Sequence, residues 1–103
     1  MQTTQLFSSR ITTGASSAIS LNGSDFTAQA SGKVSATTGA ATVKIQVSND
    51  NANWIDLGTI TLTLGTAVTS DGLAAFAKWA WVRANVTAIS GTDAEVTVTV
   101  NQA

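Results

Sequence analysis

The chain contains no cysteine, histidine, proline or tyrosine, and each absence removes a class of chemistry or a structural device. Without Cys there is no disulfide framework, no thiolate nucleophile and no thiolate metal site. Without His, the Ser-His-Asp and Cys-His arrangements and the usual zinc sites are also excluded, so the abundant Ser and Thr hydroxyls have no candidate base. Charged residues make up only 11% of the sequence, against about a quarter in an average domain. The five basic residues are scattered and the net charge is -1, so the clustered Lys and Arg that bind phosphate backbones are not encoded and no nucleic-acid partner is expected. With no Pro and few charges, strand edges lack the residues that usually blunt them. No apolar run approaches the length of a membrane span, and Met1-Gln-Thr-Thr-Gln5 has neither the basic start nor the apolar run of a signal peptide. The expectation is a soluble product made in the cytoplasm, with no membrane partner. The glycosylation-type triplets Asn22-Gly-Ser24 and Asn85-Val-Thr87 then read as chance matches in a Ser/Thr-rich chain.

What fills the 103 residues is Ser, Thr, Ala and Gly interleaved with Val, Ile and Leu, enough for one domain. Side chains alternate faces along a strand, and residues 79–89 alternate throughout. Ala80, Val82, Ala84, Val86 and Ala88 share one face; Trp79, Trp81, Arg83, Asn85 and Thr87 share the other. If the valines face the core, the indoles and the guanidinium face outward. The same period puts Val43, Ile45 and Val47 opposite Lys44, Gln46 and Ser48, and puts Val96, Val98 and Val100 opposite Thr97 and Thr99. It makes Ile60, Leu62 and Leu64 a half-buried strand ending at Gly65. Phe26, Ala28 and Ala30 alternate before Gly32, which marks a bulge or turn. Asn22-Gly23 supplies a tight turn, and Asn49-Asp50-Asn51-Ala52-Asn53 closes a hairpin whose return strand, 54–57, places Ile55 and Leu57 inward and Trp54 outward. Residues 70–78 lose the period, and Leu73, Phe76, Ala77 and Ala80 have helical spacing, so a helical turn or an irregular loop is expected there.

Seven or eight short strands with turn signals between them predict an all-β fold: an antiparallel two-sheet sandwich, jelly-roll-like, with a small closed barrel as runner-up. Residues 1–17, with Leu6 and Phe7 as their apolar centre, read as an N-terminal strand or a docking arm. Residues 18–103 read as the single sandwich domain.

Candidate chemistry is sparse. Asp50 with Asp56, and Asp93 with Glu95, flank hairpins and make a two-carboxylate hydrolase conceivable, but Asp50 and Asp93 also sit where turns favour Asp. The 49–53 loop lacks the central Gly and the later Glu of a calcium loop. No enzyme activity, cofactor or metal is therefore expected. The distinctive set is Trp54, Trp79 and Trp81 with Arg83, either plugging the core or forming an adhesive outer patch.

Two strings carry a resemblance: Ile45-Gln-Val-Ser-Asn-Asp-Asn-Ala-Asn-Trp54-Ile-Asp-Leu-Gly58, and Trp81-Val-Arg83-Ala-Asn-Val-Thr-Ala-Ile-Ser-Gly-Thr92 followed by Val96-Thr-Val-Thr-Val100. Together they resemble small virion proteins of tailed bacteriophages, over about the C-terminal two thirds of the chain. Similar strings occur in discoidin-like sandwiches of tail and carbohydrate-binding proteins. The resemblance implies a head decoration or cement protein on the outer capsid surface of the virion, made in the host cytoplasm. It would bind the major capsid protein as a dimer or trimer, with Trp54, Trp79, Trp81, Arg83, Leu6 and Phe7 as interface residues. The alternative is a glycan- or receptor-binding module of a phage tail or fibre, with Trp79 and Trp81 stacking on sugar faces and Asn49, Asp50 and Asn53 bonding to sugar hydroxyls.

Overall fold

The computed structural model describes residues 2–75 and 78–102. Among them are nine strands: β1 (Gln2–Arg10), β2 (Gly14–Ala15), β3 (Ile19–Ser20), β4 (Phe26–Lys33), β5 (Ala36–Ser48), β6 (Ile55–Leu64), β7 (Thr69–Ala75), β8 (Trp81–Thr92) and β9 (Glu95–Gln102). One sheet has the order β1-β9-β4-β7; the other is β2-β8-β5-β6, with β3 also on β8. Both β2 and β3 pair antiparallel with β8, on the flank away from β5, and so act as one broken strand. Counted that way, the two four-membered orders are those of a jelly roll. The sheets are open and face each other, so the fold is a sandwich and not a closed barrel.

The alternating valines, leucines and isoleucines build the core as their period requires. Val43, Ile45 and Val47 from β5, Val82, Ala84 and Val86 from β8, and Val96, Val98 and Val100 from β9 are wholly buried. Ile60, Leu62 and Leu64 from β6 and Phe26, Ala28 and Ala30 from β4 complete it. Asn22 and Gly23, at φ 50° and 71°, form the expected tight turn, closed by the Ser24 N–H donating to the Leu21 carbonyl at 2.9 Å. That turn passes the chain from one sheet to the other.

Several local expectations are corrected, mostly by bulges. Residues 54–57 and 60–64 are not separate strands, because β6 runs through both with a register shift opposite Ile45 and Gln46. Beyond the shift Ile55 lies at the open end of the sandwich, 55% exposed, and Leu57 only packs against the core margin. A second shift, between Thr42 and Val43, leaves Thr87 unmatched on β8. The inward parity therefore moves from Val86 to Ile89, and Ala88 is exposed. Gly32 marks neither bulge nor turn: β4 pairs through it on both sides. A Cβ there would lie 2.7 Å from the Glu95 carbonyl oxygen and 2.8 Å from Leu64 Cδ2, so close approach of the two sheets requires Gly. The segment expected as a helical turn is strand β7 up to Ala75, paired along β4. Phe76 and Ala77, part of that expectation, lie outside the described residues. Gly14-Ala15, within the segment expected as an N-terminal strand or a docking arm, is β2, paired with β8.

Candidate functional site

The candidate surface is the outer face of the β8-β5-β6 sheet, and strand pairing dictates its layout. Ser48 of β5 lies opposite Trp81 of β8, and Gln46 lies opposite both Arg83 of β8 and Asp56 of β6. Trp54 immediately precedes β6. Arg83 reaches across β5, and its guanidinium carbon sits 4.4 Å from the centroid of the Trp54 ring, within cation–π range. Its Nε donates to Gln46 Oε1 at 2.8 Å, Gln46 Nε2 donates to Asp56 Oδ1 at 2.8 Å, and Lys44 Nζ reaches Asp56 Oδ2 at 3.2 Å. The result is one chain of contacts across three strands, from an indole to an ammonium. Donation by Gln46, then by Lys44, holds the Asp56 carboxyl below the usual carboxylate range.

The loop beside this face is held by its own hydrogen bonds. Ser48 Oγ donates to Asp50 Oδ1 at 2.8 Å and accepts the Asp50 and Asn51 N–H groups. Asp50 also accepts the N–H groups of Ala52 and Asn53 and the Asn53 side-chain amide. Donation by Asn53, backbone then side chain, holds the Asp50 carboxyl far below its ordinary range, with Ala52 and Ser48 adding to it. Asn51 supplies the left-handed residue, φ 57°, and Asn49 Oδ1 accepts the Ala80 N–H at 3.2 Å, tying the loop to the start of β8. Asp50, the Asn53 amide NH2 and Asn49 Oδ1 therefore spend their bonds on holding the loop, which weakens the case for this loop as a set of sugar ligands.

The structure separates the expected interface residues into two groups. Trp54, Trp81 and Arg83 share the outer face, each half-buried against its neighbours. Trp79, expected beside them, lies before β8 and packs against the core. Its Nε1 is buried and has no hydrogen-bond partner among the described residues. Phe7 is 7% exposed within the core and Leu6 packs against the same cluster. The physical reason is that residues 2–10 run along β9 with register shifts on both sides of Phe7, which turn its ring inward. Arg10 covers that ring at 4.8 Å. Gln46, Lys44 and Asp56 also belong to this face, although the aromatic residues alone do not point to them; the alternation of Lys44 and Gln46 with the buried Val43, Ile45 and Val47 is the signal the sequence carries.

Elsewhere, a shallow hollow over β4 and β7 is lined by Thr27, Gln29, Ser70, Asp71 and Leu73, with Asp71 the one titratable side chain in its lining. Asp93 is a turn residue at φ 50° and accepts from Ser35 Oγ at 3.1 Å. Among the described residues, no three His, Cys, Asp or Glu side chains are grouped to hold a metal ion. No helix there is long and apolar enough to cross a membrane. Comparison with protein-family models, curated proteins and solved structures finds no match to this chain.

Proposed function

We propose that the chain is a non-enzymatic virion structural protein, a decoration or cement protein that docks on the outer surface of a tailed-bacteriophage capsid and stabilises the shell. Its partners would be the major capsid protein and further copies of itself, and its place the virion surface after synthesis in the host cytoplasm. The observation that carries this reading is the Trp54–Arg83–Gln46–Asp56 network beside Trp81, a face of large side chains already fixed in position on adjacent strands. A pre-ordered face loses little side-chain entropy on docking, which is where much of the cost of association lies.

The size of the remaining surface matters. With most of each ring covered within the chain, roughly 80 Å² per indole is left to bury, worth about 2 kcal/mol at ~25 cal/mol per Å². Two indoles do not make a tight complex alone. Retention on a shell then relies on contacts around them and on many copies or linked copies binding together. The glycan-binding alternative is the weaker reading, because Asp50 already accepts from Ala52 and Asn53, and Asn49 Oδ1 from Ala80, so part of the loop's polar capacity is spent on holding its own shape.

The test is to add the chain to undecorated phage shells, separate bound from free by sedimentation, and count copies per particle. Saturable binding that raises the shell's disruption temperature, and is weakened by Trp81→Ala, is the expected result. No binding to shells, together with a glycan-array signal that Trp81→Ala removes, would replace this reading with the sugar-binding one.

A further inference from the structure

Among the described residues the two sheets end in β1, β7, β6 and the β2/β3 pair, and these edges differ in how long a stretch they leave without a device that discourages pairing with another chain. β1 is broken by register shifts around Phe7, holds Ser9 at φ 51° and ends on Arg10; bulges and basic residues are known edge guards. β2 and β3 are two residues each. β7 carries an exposed Asp71 at its middle, and that carboxylate accepts the Gly72 N–H at 2.8 Å, so the strand caps its own amide.

β6 leaves the longest such stretch, because its register shift and Asp56 lie at one end. After its register shift it runs from Gly58 to Leu64, paired along β5 without interruption, and this stretch holds no charge, Pro or bulge. Thr59, Thr61 and Thr63 are exposed while Ile60, Leu62 and Leu64 are buried. Alternate residues of such an edge direct both N–H and C=O away from their one partner strand, and the complement of that row is another extended backbone. The Thr69 hydroxyl donates to the Thr63 carbonyl at 3.1 Å, which leaves that oxygen a second lone pair.

We propose that this edge pairs antiparallel with the same edge of a second copy, about a two-fold axis at Thr61, joining two five-stranded sheets into one. The sequence is self-complementary in that register. Thr61 meets Thr61, Thr59 meets Thr63 on the outer face, and Ile60 meets Leu62 on the core face, pairs that stabilise neighbouring strands. Asp56, the charged residue of β6, falls opposite Thr66, beyond the partner's strand, so no carboxylates confront each other. The seven residues span about 23 Å. With the molecule's smallest dimension of 18 Å, the footprint is roughly 400 Å² per copy, below the ~1,200 Å² total of a standard stable interface. The dimer is therefore weak and concentration-dependent. It does not depend on what the Trp54–Trp81 face binds.

Sedimentation equilibrium of the full chain from about 1 μM to about 1 mM tests this. The expected result is a reversible monomer–dimer equilibrium whose dissociation constant rises at least about tenfold in Thr61→Lys, which sets two ammonium groups face to face, with the thermal melt unchanged. In register, residues at the axis lie about 4.5–5.5 Å apart, within disulfide reach. Thr61→Cys should therefore cross-link under mild oxidation, and Thr27→Cys, on the outer face of the other sheet, should not. A chain that stays monomeric throughout, a dimer unmoved by Thr61→Lys, or a dimer lost only in Trp81→Ala would overturn the proposal. Shell binding is read separately, so either proposal can fall without the other.

Discussion

The Trp54–Arg83 stack is the contact on which the pre-ordered face rests, and a double-mutant cycle measures it directly. Replacing Arg83 by Ala removes the guanidinium 4.4 Å from the Trp54 centroid and the Nε bond to Gln46 at 2.8 Å. For a half-buried site the first is worth about 0.5–1 kcal/mol and the second about 1 kcal/mol, so Arg83→Ala should cost roughly 2 kcal/mol. Trp54→Ala loses the stack and the packing of the indole. The interaction term isolates what the two share, and it should be about 0.5–1 kcal/mol. Urea unfolding followed by circular dichroism, which does not depend on the deleted indole, supplies all four free energies. Raising the salt should weaken the Lys44–Asp56 pair more than the stack, because that pair is the more exposed to screening. An interaction term indistinguishable from zero would mean that the two groups are merely adjacent. The face would then have to be ordered by its partner, and the main support for the proposed function would go.

Other outcomes follow from the same coordinates. Gly32→Ala should lower the melting temperature: reduced freedom of the unfolded chain contributes about 0.4–1 kcal/mol, but a methyl 2.7 Å from a backbone oxygen costs about 1–3 kcal/mol; an unchanged or higher value would refute the close approach. Val82→Asp should abolish the cooperative melt, since it buries an unpaired charge at a wholly buried site, whereas Trp81→Ala should remain folded and bind shells more weakly. Asp50→Asn should destabilise the chain at neutral pH. The amide oxygen can keep the Ala52 and Asn53 N–H bonds at the Oδ1 place, but its NH2 then faces the Asn53 side-chain amide that donates to Oδ2, and the remaining bonds lose the acceptor's charge. Because the folded carboxyl is held below its ordinary range, its contribution is full above about pH 4 and fades as the pH falls further. The difference between wild type and variant in chemical denaturation should therefore shrink on acidification, and a difference that grows instead would contradict the assignment.

The amino-acid sequence by itself determined the central core strands and which of their faces is apolar, because a period of two is a local property; it did not determine β7, which reads as a helical turn or loop and pairs along β4. Val43 to Val47, Ile60 to Leu64, Val82 to Val86 and Val96 to Val100 all fall as that period places them. It also determined the turns, since Asn22, Gly23, Asn51 and Asp93 adopt the positive φ that their side chains tolerate. Tertiary structure decided the rest. The shifts around Phe7, opposite Ile45 and Gln46, and at Thr87 reverse parity within a strand, and a bulge exists only relative to the strand across from it. Phe7 and Trp79 went inward and Ile55 outward for reasons of pairing and sandwich length, which no window of neighbouring residues contains. Gly32 is required by the Glu95 carbonyl of the neighbouring strand together with a Leu64 side chain from the opposite sheet, and Arg83 finds Trp54 only because β5 lies between β8 and β6. Alternation is written along the chain, but the partner that gives each residue its surroundings is supplied by the order in which strands assemble.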